Sequence, residues 1–370
     1  MSKNVRITIR NHAASARRMT VHRGICLGIV TGLVLVGTAP TWSGDPAWGA
    51  RVEVVATGLE APWALAFASV SDLFITERPG RIRMIRNGRL LPNPVASLSV
   101  AAVGEAGLMG LALDPTFETN RFLYVCYTRR KDGRLVNRVA RLTMRDEKAG
   151  AERVLLDDIP GADQRNGCRV KLGPDRMLYV TTGDAGTPEL AQQLDSLVGK
   201  ILRLATDGSI PPDNPFPNSP VHALGFRNPQ GLAWDRTGRM FAADLVPGPH
   251  DEINEVVRGG NYGWPVVSGL AREPRYRDPV IESAGIIWKP SGMAIHGDRL
   301  YVAALLGRQL VRIKLGSDGV AAQSSLLEGA WGRLRHVVVG PDDALYVATS
   351  NRDGRGVSHP DDDRILRVSP

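Results

Sequence analysis

Five separated stretches of this chain carry side chains suited to holding a small anion and moving a proton beside it. They are Gly104-Glu105, Arg165-Asn166, Asp184, Arg227-Asn228-Pro229-Gln230, and the pair Arg333 and Arg335. A guanidinium fork grips a carboxylate through two parallel N–H donors, and Asn and Gln add directed donors and acceptors. Such a set suits a small polyanionic ligand. Taken singly, each residue is more often a turn or surface group. The set carries weight because its members recur at the joints of a repeat.

That repeat consists of a small or Pro/Gly entry, an alternating apolar strand, a turn, and a second strand ending in polar residues. It occurs as PWALAFASVSDLFITE (62–77), GLMGLALDPTFETNRFLYVCYT (107–128), CRVKLGPDRMLYVTTGD (168–184), PQGLAWDRTGRMFAADL (229–245), PSGMAIHGDRLYVAAL (290–305) and LRHVVVGPDDALYVATS (334–350). A third strand follows most copies: GRIRMI, RVARLTM, GKILRLA, RQLVRIKL and DRILRVS. The six copies start 44 to 61 residues apart, and their strands alternate with period two around GPD, DRTG or HGD turns. One four-stranded sheet cannot bury both of its faces, so units of this size close radially. The expected fold is all-β, a six-bladed propeller of four-stranded antiparallel blades. Arg51–Gly58 supplies an outer strand that ties the last blade shut. No 3.6-period segment of useful length argues for a helical solenoid, and no domain boundary interrupts residues 51–370. In such a ring, loops between blades and the ends of inner strands surround the mouth of the channel, where ligands bind. The polar clusters lie at those points.

The formal charge of +8 comes mostly from the N-terminus. Residues 1–50 hold six basic side chains and one acid, leaving 40 basic against 37 acidic residues beyond them. That near-balance, with no basic run, argues against a nucleic-acid partner. Residues 1–50 read as a leader: a basic stretch to Arg23, the fourteen-residue apolar run Gly24–Gly37, and a cleavage site at Ala47-Trp48-Gly49. The apolar run is short for a membrane span, so a secreted or extracytoplasmic protein without a stable span after processing is expected. Cys26 lies in the leader. Cys126 sits in the strand-like run Phe122–Thr128, where a buried free thiol is the default reading, and one disulfide with Cys168 stays open to an exported chain.

The stretches GLEAPWALAF, TERPGRIR, GEAGLMGLALDP, GPDRMLYVTTGD, GKILRL, FRNPQGLAWD, DEINEVVRGGNYGWP, PSGMAI and DDRILRV resemble the signatures of the glucose/sorbosone dehydrogenase family over roughly residues 52–370. Members of that family are six-bladed propellers that bind pyrroloquinoline quinone (PQQ) and oxidise aldoses. The resemblance implies that Arg227, Asn228 and Gln230 match a quinone-binding RNxQ. It places Arg333 and Arg335 at the paired arginines that hold quinone carboxylates, and Asp184 at the acid that orients the catalytic base. Glu105 falls where the family has Gln or Glu near the sugar. Val246-Pro247 falls where carbonyls hold calcium beside the quinone. Glu252 and the Tyr262 carbonyl match a second, structural calcium site. The implied activity is hydride transfer from the anomeric CH–OH of an aldose to PQQ, with a sugar and an electron acceptor as partners.

Three positions depart from the family's pattern. Its base is a His in H-x-x-G-R, nineteen residues before the acid; here, without a gap, Arg165 stands there. A guanidinium cannot accept a proton near neutral pH. Leu306 replaces a usual Lys or Arg, and DLVPGP departs from the usual EHGP-like calcium loop. Arg165 is therefore expected to point into the same pocket as Asp184 and pair with it. A second outcome stays open beside the enzyme: a degenerate propeller of the same family that binds ligand without efficient dehydrogenation.

Overall fold

A computed structural model describes residues 50–283, 285–316 and 319–369. The expected leader therefore lies outside the described residues apart from Ala50, as does Cys26. Nearly all regular structure is β, arranged as six antiparallel blades around a common axis. Blade 1 starts with the inner strand Pro62–Phe67, blade 2 with Leu108–Leu113 and blade 3 with Gly167–Leu172. Blades 4, 5 and 6 start with Pro229–Trp234, Pro290–His296 and Leu334–Val339. These six inner strands correspond to the starts of the six sequence repeats. In blade 6 the outermost strand is Arg51–Ala56, which pairs antiparallel with Ile365–Ser369. The two ends of the ring are thus hydrogen-bonded together, as the spare N-terminal strand predicts.

Every inner strand shifts register near its start, between Pro62 and Ala64, Leu108 and Gly110, Gly167 and Val170, Pro229 and Gly231, Pro290 and Met293, and Leu334 and His336. A bulge re-aims the side chain it carries. Here the consequence is contact across the ring between blades that are not neighbours. Arg335 of blade 6 donates to Gln230 Oε1 of blade 4 at 3.1 Å. The Arg169 guanidinium of blade 3 lies 3.9 Å over the Trp63 ring of blade 1. Lys171 of blade 3 reaches the Met293 carbonyl of blade 5 at 3.5 Å. Such contacts can only pass through the central channel, so Trp63, Arg169, Lys171, Gln230 and Arg335 fill it.

Blade-to-blade packing is apolar, with Trp63, Phe74, Leu108, Leu123, Tyr124, Val170 and Val180 in one continuous buried cluster across blades 1 to 3. The same interface holds a disulfide. Cys126, in the second strand of blade 2, is bonded to Cys168 in the inner strand of blade 3, with Cα atoms 5.5 Å apart. This corrects the free-thiol reading of Cys126: radial closure brings together two residues that have no local reason to meet. Among the described residues no helix is long and apolar enough to cross a membrane.

Candidate functional site

Because the blades are related by rotation, residues that precede the inner strands all gather at one end of the channel. Glu105, Arg165, Arg227 and Arg333 enter this mouth from four different joints. The first constellation there centres on Asp184, whose side chain is fully buried. Arg165 Nη1 donates to Asp184 Oδ2 at 3.2 Å, Trp264 Nε1 donates to the same oxygen at 3.0 Å, and the Gly186 N–H donates to Oδ1 at 3.0 Å. A Cβ at Gly183 would collide with the Arg165 carbonyl. Glycine at 183 is what lets the Arg165 backbone lie against the Gly183-Asp184 turn. The carbonyl of Arg165 also accepts the Ala185 N–H.

The second constellation is the arginine basket. Arg333 sends Nε and Nη2 to Asp353 Oδ2 at 3.1 and 2.9 Å, and Arg335 Nη2 lies 3.6 Å from the same oxygen. Burial pulls the Arg335 guanidinium down to about 10, with the Asp353 charge opposing. Arg227 donates through Nη1 to the Leu245 carbonyl at 3.0 Å and sits 5.6 Å over the Trp264 ring. Gln230 Oε1 accepts from both Arg335 and the Ser291 hydroxyl. Asn228 behaves differently: its Oδ1 accepts the Gly167 N–H at 3.0 Å, tying blade 4 to blade 3.

Glu105 links the two constellations. Its Oε2 accepts the Arg165 N–H at 3.0 Å, and its Oε1 pairs with Arg355 from blade 6. Burial pushes this carboxyl up, but the Arg165 N–H and the Arg355 charge together outweigh it and leave it below the usual carboxylate range. Six guanidiniums (Arg78, Arg165, Arg227, Arg333, Arg335 and Arg355) and four carboxylates (Glu105, Asp184, Asp244 and Asp353) share this mouth. The surplus is positive, which favours an anionic ligand.

Residues 59–365 match the family model described as Glucose / Sorbosone dehydrogenase. The chain belongs to that family. The aldose sugar dehydrogenase YliI of Escherichia coli (strain K12) is 30% identical over 86% of this chain and 93% of its own length. The PQQ-bound aldose sugar dehydrogenase of Streptomyces coelicolor is 38% identical, with a TM-score of 0.81 over 88% of this chain and 99% of that one. A glucose dehydrogenase-like oxidoreductase structure from Thermus thermophilus is 48% identical, with a TM-score of 0.82 over 87% of this chain and all of that one.

Against the calcium positions that the glucose/sorbosone dehydrogenase resemblance implies, the structure is uneven. After the strand Met240–Asp244, Val246 is buried and Pro247 is exposed. The Tyr262 hydroxyl donates to the Glu255 carbonyl at 2.7 Å and its ring stacks on Phe226, so that side chain props the fold. Only its carbonyl is asked of the metal. Glu252 lies directly opposite Asp244 in the sheet, and burial pushes both carboxyls up, Glu252 further because of the charge on Asp244. Beside them, Asn254 Oδ1 is buried without a partner. Among the described residues no three His, Cys, Asp or Glu side chains gather at one point. An all-oxygen set of carboxylate, amide and carbonyl groups still fits calcium.

Sequence reasoning did not single out Trp264, Asp244, Asp353 or Arg355. Trp264 and Asp244 stand in or beside stretches quoted for the family resemblance, so that signal was present. Asp353 and Arg355 sit in the loop between the second and third strands of blade 6, beyond the end of its repeat copy at residue 350.

Proposed function

We propose that this chain is an exported, PQQ- and calcium-dependent oxidoreductase of aldoses that works without a histidine base. The supporting observation is the Gln230–Arg335 contact, which joins RNPQ and the paired arginines in one basket although 105 residues separate them. PQQ, when bound, supplies the two-electron acceptor for the hydride of the anomeric carbon. Arg333 and Arg335, braced by Asp353, and Arg227, braced by the Leu245 carbonyl, would hold its carboxylates. Glu252, with Asn254 and the Tyr262 carbonyl, would hold a structural calcium; Val246 and Pro247 carbonyls would supply the one beside the quinone. The Cys126–Cys168 disulfide supports an oxidising compartment outside the cytoplasm.

Arg165 occupies Asp184 and cannot take a proton. The carboxylate next to Arg165 is Glu105, whose lowered pKa makes it a weak base, and a calcium-polarised water is the other candidate acceptor. Slow turnover follows, and the Arg165–Asp184 pair equally favours the second reading, a binder with no useful turnover. The test is to load purified protein with PQQ and calcium chloride, pass it through gel filtration, and follow aldose-dependent dye reduction. Retained quinone with slow dye reduction is expected. Retained quinone with no reduction by any aldose selects the second reading, and quinone lost from wild type as readily as from Arg333→Ala refutes both.

A further inference from the structure

Below the mouth, the axial channel holds two buried cations, Arg169 and Lys171, and the imidazole of His336, with no acid beside them. Arg169 is completely buried; its Nε donates to the Gln230 carbonyl at 2.7 Å and its plane lies over Trp63, while both Nη atoms have no hydrogen-bond partner. Lys171, two residues further along the same strand, faces the same channel and makes a long hydrogen bond to the Met293 carbonyl at 3.5 Å. His336 Nδ1 accepts the Leu65 N–H at 2.9 Å, and its Nε2 is buried without a hydrogen-bond partner. Burial and neighbouring cations depress Arg169, Lys171 and His336, and no carboxylate offsets this at any of the three. Unpaired buried donors of this kind are costly and rare in folded proteins.

The channel opens at its far end, opposite the arginine basket, into a cavity of about 530 Å³. The ends of five inner strands line it: Phe67, Leu172, Trp234, Ile295 and Val338 form apolar walls, and Lys171 is the one charged group in the lining. That volume lies within the roughly 300–1,000 Å³ of small-molecule sites, and the lining has their usual character of apolar walls with one placed polar group. We propose that this far mouth is a second ligand site, which takes a monocarboxylate with an apolar body, its head on Lys171 and its chain against Phe67, Trp234 and Ile295. The walls select the apolar body, and the uncompensated charges of Lys171 and Arg169 select the anionic head. A neutral apolar molecule would leave Lys171 unpaired, and a bare inorganic anion would leave the walls wet.

The experiment uses the full chain, with and without PQQ, in buffer free of other carboxylates. Calorimetry measures binding of octanoate, octanol and acetate to wild type, Lys171→Met and Lys171→Arg. Octanoate should bind at least about tenfold more tightly than either octanol or acetate, Lys171→Met should lose that margin, and Lys171→Arg should keep it. PQQ should leave octanoate binding unchanged. A thermal midpoint of Lys171→Met at or above wild type confirms folding, since the change removes an unpaired cation. Octanol binding as tightly as octanoate, acetate binding as tightly as octanoate, unchanged affinity in Lys171→Met, or displacement of octanoate by PQQ would each overturn the proposal. None of these outcomes bears on whether the upper basket holds the quinone.

Discussion

Replacing Arg165 with histidine tests the chemistry of the mouth most directly. The backbone accepts the change, because Arg165 has φ +59°, a region in which His is enriched several-fold over most residues. The substitution removes one of three donors to the buried Asp184 carboxylate, leaving Trp264 Nε1 and the Gly186 N–H. Loss of one partner from a fully buried pair costs about 3–5 kcal/mol. Arg165 keeps 28% side-chain exposure, two donors remain, and the imidazole can replace the third. The expected cost is therefore smaller, about 1–2 kcal/mol. The gain is a group that can accept the hydroxyl proton beside an acid that orients it, worth ~10²–10⁴ in rate. In PQQ- and calcium-loaded protein, aldose-dependent dye reduction should rise by about that factor in kcat, with quinone retention unchanged. Its rate should climb with pH through an apparent pKa above that of free imidazole, since Asp184 favours the imidazolium. Arg165→Met removes the same ion pair without adding a base and should gain nothing. If wild type already turns over at the ~1–10³ s⁻¹ usual for enzymes and both substitutions slow it, Arg165 has a positive catalytic role and the reasoning fails.

Three further outcomes follow from the geometry. Asp353→Asn leaves Arg333 and Arg335 buried without their shared anion, so denaturant unfolding of the quinone-free protein should show a loss of about 3–5 kcal/mol; PQQ at a hundred times its Kd should return ~2.7 kcal/mol, as its carboxylates replace the missing one. Cys126 and Cys168 are 42 residues apart in sequence, so opening their bond by Cys126→Ala/Cys168→Ala should cost roughly 4 kcal/mol on loop-closure grounds, read in calorimetry as a thermal midpoint lower by roughly 5–10 °C. Burial, with the Arg203 charge, pulls His222 down to about 4 from an ordinary 6.5. The unfolded chain then binds the extra proton first, so stability is full above pH 6.5 and falls by about 3 kcal/mol as pH drops to 4; His222→Gln should flatten that limb of the denaturant-midpoint profile.

The ring was legible because its information is periodic. Six copies of one pattern announce six inner strands, and the unmatched Arg51–Gly58 segment has only the open edge of the last blade to pair with. One strand escaped. Glu252–Val256 is the third strand of blade 4, and its buried polar residues Glu252 and Asn254 break the apolar alternation that marks the other third strands. The contacts between non-neighbouring blades were not legible for the opposite reason. Arg169 on Trp63 and Glu105 with Arg355 join different blades, and no period links their positions. They exist only once the ring has closed.

Arg165 is the exception that could be read in advance, and the structure supplies the reason. The segment 165–184 is one hairpin, Gly167–Leu172 against Leu178–Thr182, with Gly167 directly opposite Thr182. That register brings position 165 level with position 184 whatever residues occupy them. Gly183 then removes the only side chain that would hold the two backbones apart. A residue at 165 must therefore meet the carboxylate at 184, so a gap-free spacing of nineteen residues carries chemical meaning by itself. With His there the hairpin would make a dyad; with Arg it makes an ion pair. On the proposed function, binding and turnover at this mouth are then separable by one side chain, which is why quinone retention and dye reduction must be measured independently.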